Sequence, residues 1–147
     1  MFARNWIRHR RERPPGAEGG TALEKKKILV IEDEQDTASY LTTLFEDNGY
    51  DALAAKDGQE GMQIAKQESP DLITLDISMP EKSGLKALRE LQEDEATSNI
   101  PVIIVTGVSE DLKSFIDKQK QVKPPAGHIN KPIDTQELLG TVKSLLS

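Results

Sequence analysis

The chain has no cysteine, and no apolar run in it approaches the length of a membrane span. The first absence removes disulfide frameworks, thiolate zinc sites, iron–sulfur clusters and cysteine nucleophiles together. The second leaves no candidate for the ~18 consecutive apolar residues that a transmembrane helix needs. The N-terminus is rich in Arg and lacks the apolar stretch of a secretory signal, so a cytoplasmic location is expected. At 147 residues the chain is one ordinary domain and little more, long enough to bury a core without a covalent or metal staple.

The net charge of -6 argues against a surface that binds nucleic acid as a whole. That charge is unevenly placed. Residues 1–23 hold Arg4, Arg8, Arg10, Arg11 and Arg13 against Glu12 and Glu18, a balance of +3, and the remainder of the chain carries -9. The boundary falls in Pro14-Pro15-Gly16-Ala17-Glu18-Gly19-Gly20, whose Pro and Gly read as a linker. Residues 1–24 are therefore expected to be a basic, solvated tail and linker, and residues 25–147 the folded domain. Phe2 and Trp6, four apart among the arginines, also fit a short amphipathic helix on an anionic surface. With so few apolar residues, no stable membrane insertion is expected.

From residue 25 a regular alternation begins. Lys27–Ile31 is a short apolar run rich in β-branched residues, the mark of a strand buried on both faces. Residues 36–48 follow a helical period through Ala38, Leu41, Leu44 and Phe45, closed by Asn48-Gly49. A second strand is expected over Tyr50–Ala55. Asp57 with Glu60 three later starts a helix that Ser69-Pro70 stops. Leu72–Leu75 is a third strand ending on Asp76, and Ser83 is the expected cap of a helix bearing Leu85, Leu88 and Leu91. Pro101–Val105 is the fourth strand, and Ser109 opens a helix with Leu112, Phe115 and Ile116 inward. A brief strand near Gly127–Asn130 precedes a last helix, which starts at Asp134 and carries Leu138, Leu139, Val142, Leu145 and Leu146. Five βα units, with the clearest two strands apolar throughout, indicate an α/β fold, a doubly wound parallel sheet with helices on both faces. A closed eight-fold barrel needs roughly twice this length.

Ligands of open α/β sheets bind beyond the carboxyl ends of the strands. Glu32 and Asp33 stand after the first strand, Asp76 ends the third, Thr106 the fourth and Lys131 the fifth. Singly, each has an ordinary reading: a helix cap, a hydroxyl bonded to backbone, a solvated ammonium. Together at one rim they bring carboxylates, a hydroxyl and an ammonium to one place. Clustered carboxylates repel unless a proton or cation joins them. All-oxygen donors suit a hard cation, here Mg²⁺. Lys131 and Thr106 can hold a phosphoryl group, and a carboxylate such as Asp76 can be the nucleophile that forms an acyl phosphate.

These motifs, Lys27–Glu34, Asp71–Pro80 with Gly84, Val102–Gly107 and Lys131-Pro132, resemble the receiver domain of two-component response regulators, similar to the single-domain chemotaxis type. The resemblance covers about residues 25–147. It implies a flavodoxin-like sheet of order 2-1-3-4-5. It also implies Asp76 as acceptor of phosphate from a sensor histidine kinase or phosphotransfer protein. Glu32, Asp33, Asp76 and the backbone carbonyl of Ser78 would be the Mg²⁺ ligands, Thr106 and Lys131 the phosphate contacts, and Lys131-Pro132 a cis peptide. His128 stands where the family usually has a Tyr or Phe that rotates on phosphorylation. Ser78 and Val108 flank the approach of hydrolytic water. Neither offers a carboxylate or carboxamide, so self-dephosphorylation is expected to be slow.

The family more often has two Asp at the first acidic pair, and here it is Glu32-Asp33, a variant that leaves metal binding intact. The stretch from Thr106 to Lys131 is a few residues longer than usual. No DNA-binding output domain follows, so direct DNA binding is not expected and an unidentified target protein would read the signal. The alternative is a phosphorylation-independent adaptor on the same fold. The phosphorylatable receiver that the resemblance implies would assist its own phosphoryl transfer without being a conventional enzyme. A phosphate-ester hydrolase would place a second acid at position 78.

Overall fold

In a parallel strand buried on both sides, successive side chains enter opposite cores. The computed structural model, which describes residues 25–78, 83–107 and 123–147, divides its apolar residues in this way. In chain order the elements are β1 (Lys27–Ile31), α1 (Gln35–Asp47), β2 (Asp51–Ala55), α2 (Gly58–Glu68), β3 (Leu72–Asp76), α3 (Ser83–Glu93), β4 (Val102–Thr106), β5 (Gly127–Asn130) and α4 (Thr135–Leu146). All five strands are parallel, in the order β2-β1-β3-β4-β5. Leu29, Ile31, Leu53, Ile73, Leu75 and Ile104 face one core, closed by Ala65 of α2 and by Ala87, Leu88 and Leu91 of α3. Ile28, Val30, Leu72, Ile103, Val105 and Ile129 face the other, closed by Leu41 and Phe45 of α1 and by Leu138 and Val142 of α4. The expected strand order and doubly wound architecture are those observed.

Local chemistry sets the helix ends. The Asp57 carboxylate accepts from Glu60 N–H at 2.8 Å, and that of Asp134 accepts from the N–H groups of Gln136 and Glu137 at 3.0 and 3.1 Å. Gly49, at φ +94°, lets the chain leave α1. α2 ends on Ser69 in the left-handed region, at φ 47°. α3 takes Ser83 as its first residue, and the fourth strand runs one residue later than the sequence suggests, from Val102 to Thr106. The tail of residues 1–24 with Phe2 and Trp6, the helix expected from Ser109 with Leu112, Phe115 and Ile116, and Val108 lie outside the described residues.

One core position breaks the apolar pattern. Thr74, 1% exposed in the middle of β3, has a hydroxyl with no hydrogen-bond partner among the described residues. Leaving a buried hydroxyl unpaired costs about 1–3 kcal/mol. Thr74→Val keeps the shape and removes that penalty, so it should raise unfolding stability by about 1 kcal/mol. Denaturant titration of the two proteins checks this.

Candidate functional site

The sheet register decides which side chains meet. Ile31 pairs with Leu75, Asp76 with Val105, and Thr106 with Asn130. Glu32, Asp76, Thr106 and Lys131 therefore emerge at neighbouring steps on the carboxyl rim, each step being about 3.3 Å. Glu32 N–H donates to the carbonyl of Ala55 at 3.0 Å and Lys131 N–H to that of Thr106 at 2.9 Å, so both residues are tied to the strands beside them. The Lys131–Pro132 peptide is cis.

Three carboxylates converge there. One oxygen each from Glu32, Asp33 and Asp76 lies within 4.8 Å of the others. Asp33 is exposed, whereas Glu32 is 3% and Asp76 4% exposed. Lys131 Nζ reaches into the group, 3.2 Å from Asp76 Oδ2 and 3.5 Å from Glu32 Oε1. The Glu34 N–H donates to Glu32 Oε2 at 3.1 Å, which fixes the Glu32 carboxyl from the far side. Ser78 donates twice to Asp76 Oδ1, from its N–H at 2.8 Å and its hydroxyl at 2.6 Å.

One ammonium cannot settle this much negative charge in a buried place. Burial pushes the Glu32 carboxyl up to about 7, aided by its hydrogen bond with Asp76 and by that carboxylate's charge, against the pull of the Glu34 N–H and Lys131. Asp76 goes the other way. Burial favours its neutral form, but the Ser78 hydroxyl and N–H, the Glu32 hydrogen bond and the Lys131 charge outweigh burial and hold it below the usual carboxylate range. Lys131 loses solvation but gains the charges of Asp76 and Glu32, and its ammonium is held above its ordinary value. The electrostatics of the site thus favour the charged form of Asp76 and the neutral form of Glu32.

The other candidate residues are placed as follows. Thr106 ends β4 fully buried, and its carbonyl anchors Lys131. His128 is exposed on β5, paired with Ile104. Gly84 allows α3 to pass close to the end of β3: a Cβ there would fall 2.4 Å from Ile77 Cα and 2.8 Å from the Asp76 carbonyl oxygen. The bond from the Ser78 hydroxyl to Asp76 is the site contact that sequence reasoning misses. A hydroxyl two residues beyond an acid is the signal that suggests it.

The response regulator receiver domain family matches residues 28–143. The chain belongs to that family. Receiver domains serve phosphorylation-based signalling and are not a conventional enzyme family. This receiver is 35% identical to the protein PilH of Pseudomonas aeruginosa over 121 residues, 82% of this chain and 98% of PilH. It is 34% identical to the polar-differentiation response regulator DivK of Brucella ovis, over 82% of this chain and 96% of DivK. Among solved structures it is similar to the receiver domain of Francisella response regulator 1452, with a TM-score of 0.69 and 30% identity, covering 83% of this chain and 97% of that one. A second similar fold is the receiver domain of sensor histidine kinase PA1611 from Pseudomonas aeruginosa, solved with a magnesium ion in its active-site cleft. There the TM-score is 0.72 at 22% identity, covering 84% of this chain and 98% of that one. Among the described residues of the receiver, no helix is long and apolar enough to cross a membrane.

The raised Glu32 value makes a pH prediction for the metal-free receiver. A carboxyl whose folded value lies above its unfolded one stabilises fully at low pH and loses that contribution as pH rises through the folded value. Asp76 and Lys131, shifted down and up respectively, do not titrate between pH 5 and 7.5. Unfolding stability should therefore fall across that window by roughly 2–3 kcal/mol. Glu32→Gln should flatten the fall. Urea titrations at several pH values in the presence of a chelator measure both.

Proposed function

We propose that Asp76 accepts a phosphoryl group from the phosphohistidine of a sensor histidine kinase or phosphotransfer protein, and that another protein reads the result. Residues 25–147 are the receiver unit in this reading and residues 1–24 an appended tail. The observation that carries it is the setting of Asp76: buried, accepting twice from Ser78, and 3.2 Å from Lys131 Nζ beside two further carboxylates.

The donor set fits Mg²⁺. It consists of hard oxygens without His or Cys, on carboxyls crowded enough that burial and the Asp76 charge push Glu32 up to about 7. Glu32, Asp33, Asp76 and the Ser78 carbonyl would hold the ion, which neutralises charge on the phosphoryl oxygens. An Asp76 carboxylate oxygen attacks phosphorus, the bond from phosphorus to the imidazole nitrogen breaks, and the donor histidine leaves with the electron pair. Lys131 and the Thr106 hydroxyl then bond the phosphoryl oxygens, which supplies charge and orientation where both develop. Thr106 moving towards the phosphoryl group opens space on the side of His128, an imidazole in place of the family's usual aromatic ring. Partner proteins sense that change. Hydrolysis is slow, because the Ser78 hydroxyl bonds Asp76 rather than water and Val108 has no polar group to orient one.

A small acyl-phosphate donor with Mg²⁺ should label the full chain, and Asp76→Asn should lower labelling at least tenfold. The label should outlast that on Ser78→Asn and Val108→Glu variants, as followed by intact mass. Absence of any label on the wild type, under conditions where a control receiver is labelled, favours the phosphorylation-independent adaptor.

A further inference from the structure

A groove of about 760 Å³ runs between α2 and α3, on the face away from α1 and α4. Its charged lining is Asp57, Glu90, Glu93 and Asp94 against Lys66 and Lys86. Lys66 Nζ is committed to Asp94 Oδ2 at 2.9 Å. Asp57, Glu90 and Glu93 then outnumber Lys86, and the groove is acidic. Met62, half-buried on α2, gives it an apolar patch. Phosphoryl transfer at Asp76 uses none of these residues.

The chain itself carries a segment of matching chemistry. Residues 1–13 hold five Arg and one Glu together with Phe2 and Trp6. The connection lies on the same side of the fold. Lys27, the first residue of β1, donates from Nζ to the carbonyl of Glu68, the last residue of α2, at 2.9 Å. The segment before β1 thus joins the body beside the C-terminal end of α2, where Lys66 and Asp94 close one end of the groove. The twelve residue steps from Arg13 to Lys25 reach at most about 40 Å, whereas α2 is about 16 Å long.

We propose that the α2–α3 groove is the docking surface for the chain's own Arg-rich N-terminal segment, residues 1–13. The groove offers Glu90 and Glu93 to the arginines of that segment and Met62 to its tryptophan, whose ring has favourable chemistry with a thioether. Covalent linkage through so short a stretch of chain gives an effective concentration in the millimolar range, so contacts too weak to hold a separate peptide suffice here. This occupant goes beyond the solvated tail that composition alone suggests.

Trp6 is the only tryptophan of the chain and reports on the tail directly. At low salt, acrylamide should quench Trp6 of the full chain at least about twofold less than a synthetic peptide of residues 1–24. Molar salt should abolish the difference, since screening then acts within about 3 Å. Glu90→Lys with Glu93→Lys in the full chain should raise quenching to the peptide level. Arg4→Glu, Arg8→Glu and Arg10→Glu should do the same without touching the folded body. Combining the two sets should restore the shielding. Wild-type quenching equal to that of the peptide at low salt overturns the proposal, as does shielding that survives both charge reversals. Shielding that appears only as protein concentration rises also overturns it, in favour of docking on a second copy.

Discussion

Two nearly buried carboxylates and one ammonium share the rim of the sheet, and the rest of the structure serves to keep them there. Glu32 and Asp76 are each less than a twentieth exposed and lie beside Lys131 Nζ at 3.5 and 3.2 Å. Such a group is a burden on folding, because desolvating charges costs more than one imperfect pairing returns. Burial and the neighbouring Asp76 carboxylate push the Glu32 carboxyl up to about 7, whereas Asp76 is held below the usual carboxylate range. Whatever supplies positive charge from outside, a hard cation above all, relieves the same strain.

The apolar sheet makes this arrangement rigid. β1, β3 and β4 are almost wholly buried, so a slip of register by one residue would place each strand's core side chains on the wrong face. That register sets Glu32 against Asp76 and Thr106 against Asn130. Gly84 adds a second constraint, since any side chain there would collide with the backbone of Asp76 and Ile77. The expected penalty at this glycine is thus as much a matter of site geometry as of stability.

Much of this was legible in the sequence, for identifiable reasons. The strands read clearly because parallel strands are apolar on both faces, and the caps at Asp57 and Asp134 read clearly because their bonds span only two or three residues. The rim residues were legible because each directly follows a strand. What escaped depends on side-chain direction. The Ser78 hydroxyl turns back on Asp76, and Thr74 looks like an ordinary strand residue until its hydroxyl is found without a partner among the described residues. The raised Glu32 value follows from burial combined with the Asp76 carboxylate on another strand, which no local pattern carries. The acidic groove is equally invisible in the sequence, because it exists only once α2 and α3 lie side by side.

The central claim is that Lys131 does not by itself balance the buried rim carboxylates, so that the Glu32 carboxyl is pushed up to about 7. Calorimetric titration of the full chain with Mg²⁺ at pH 7, in two buffers of different ionisation heat, counts the protons released. The account predicts release of about half a proton per Mg²⁺ bound by the wild type and about none by Glu32→Gln. Binding without proton release in the wild type, or equal release from the Glu32→Gln variant, would contradict it.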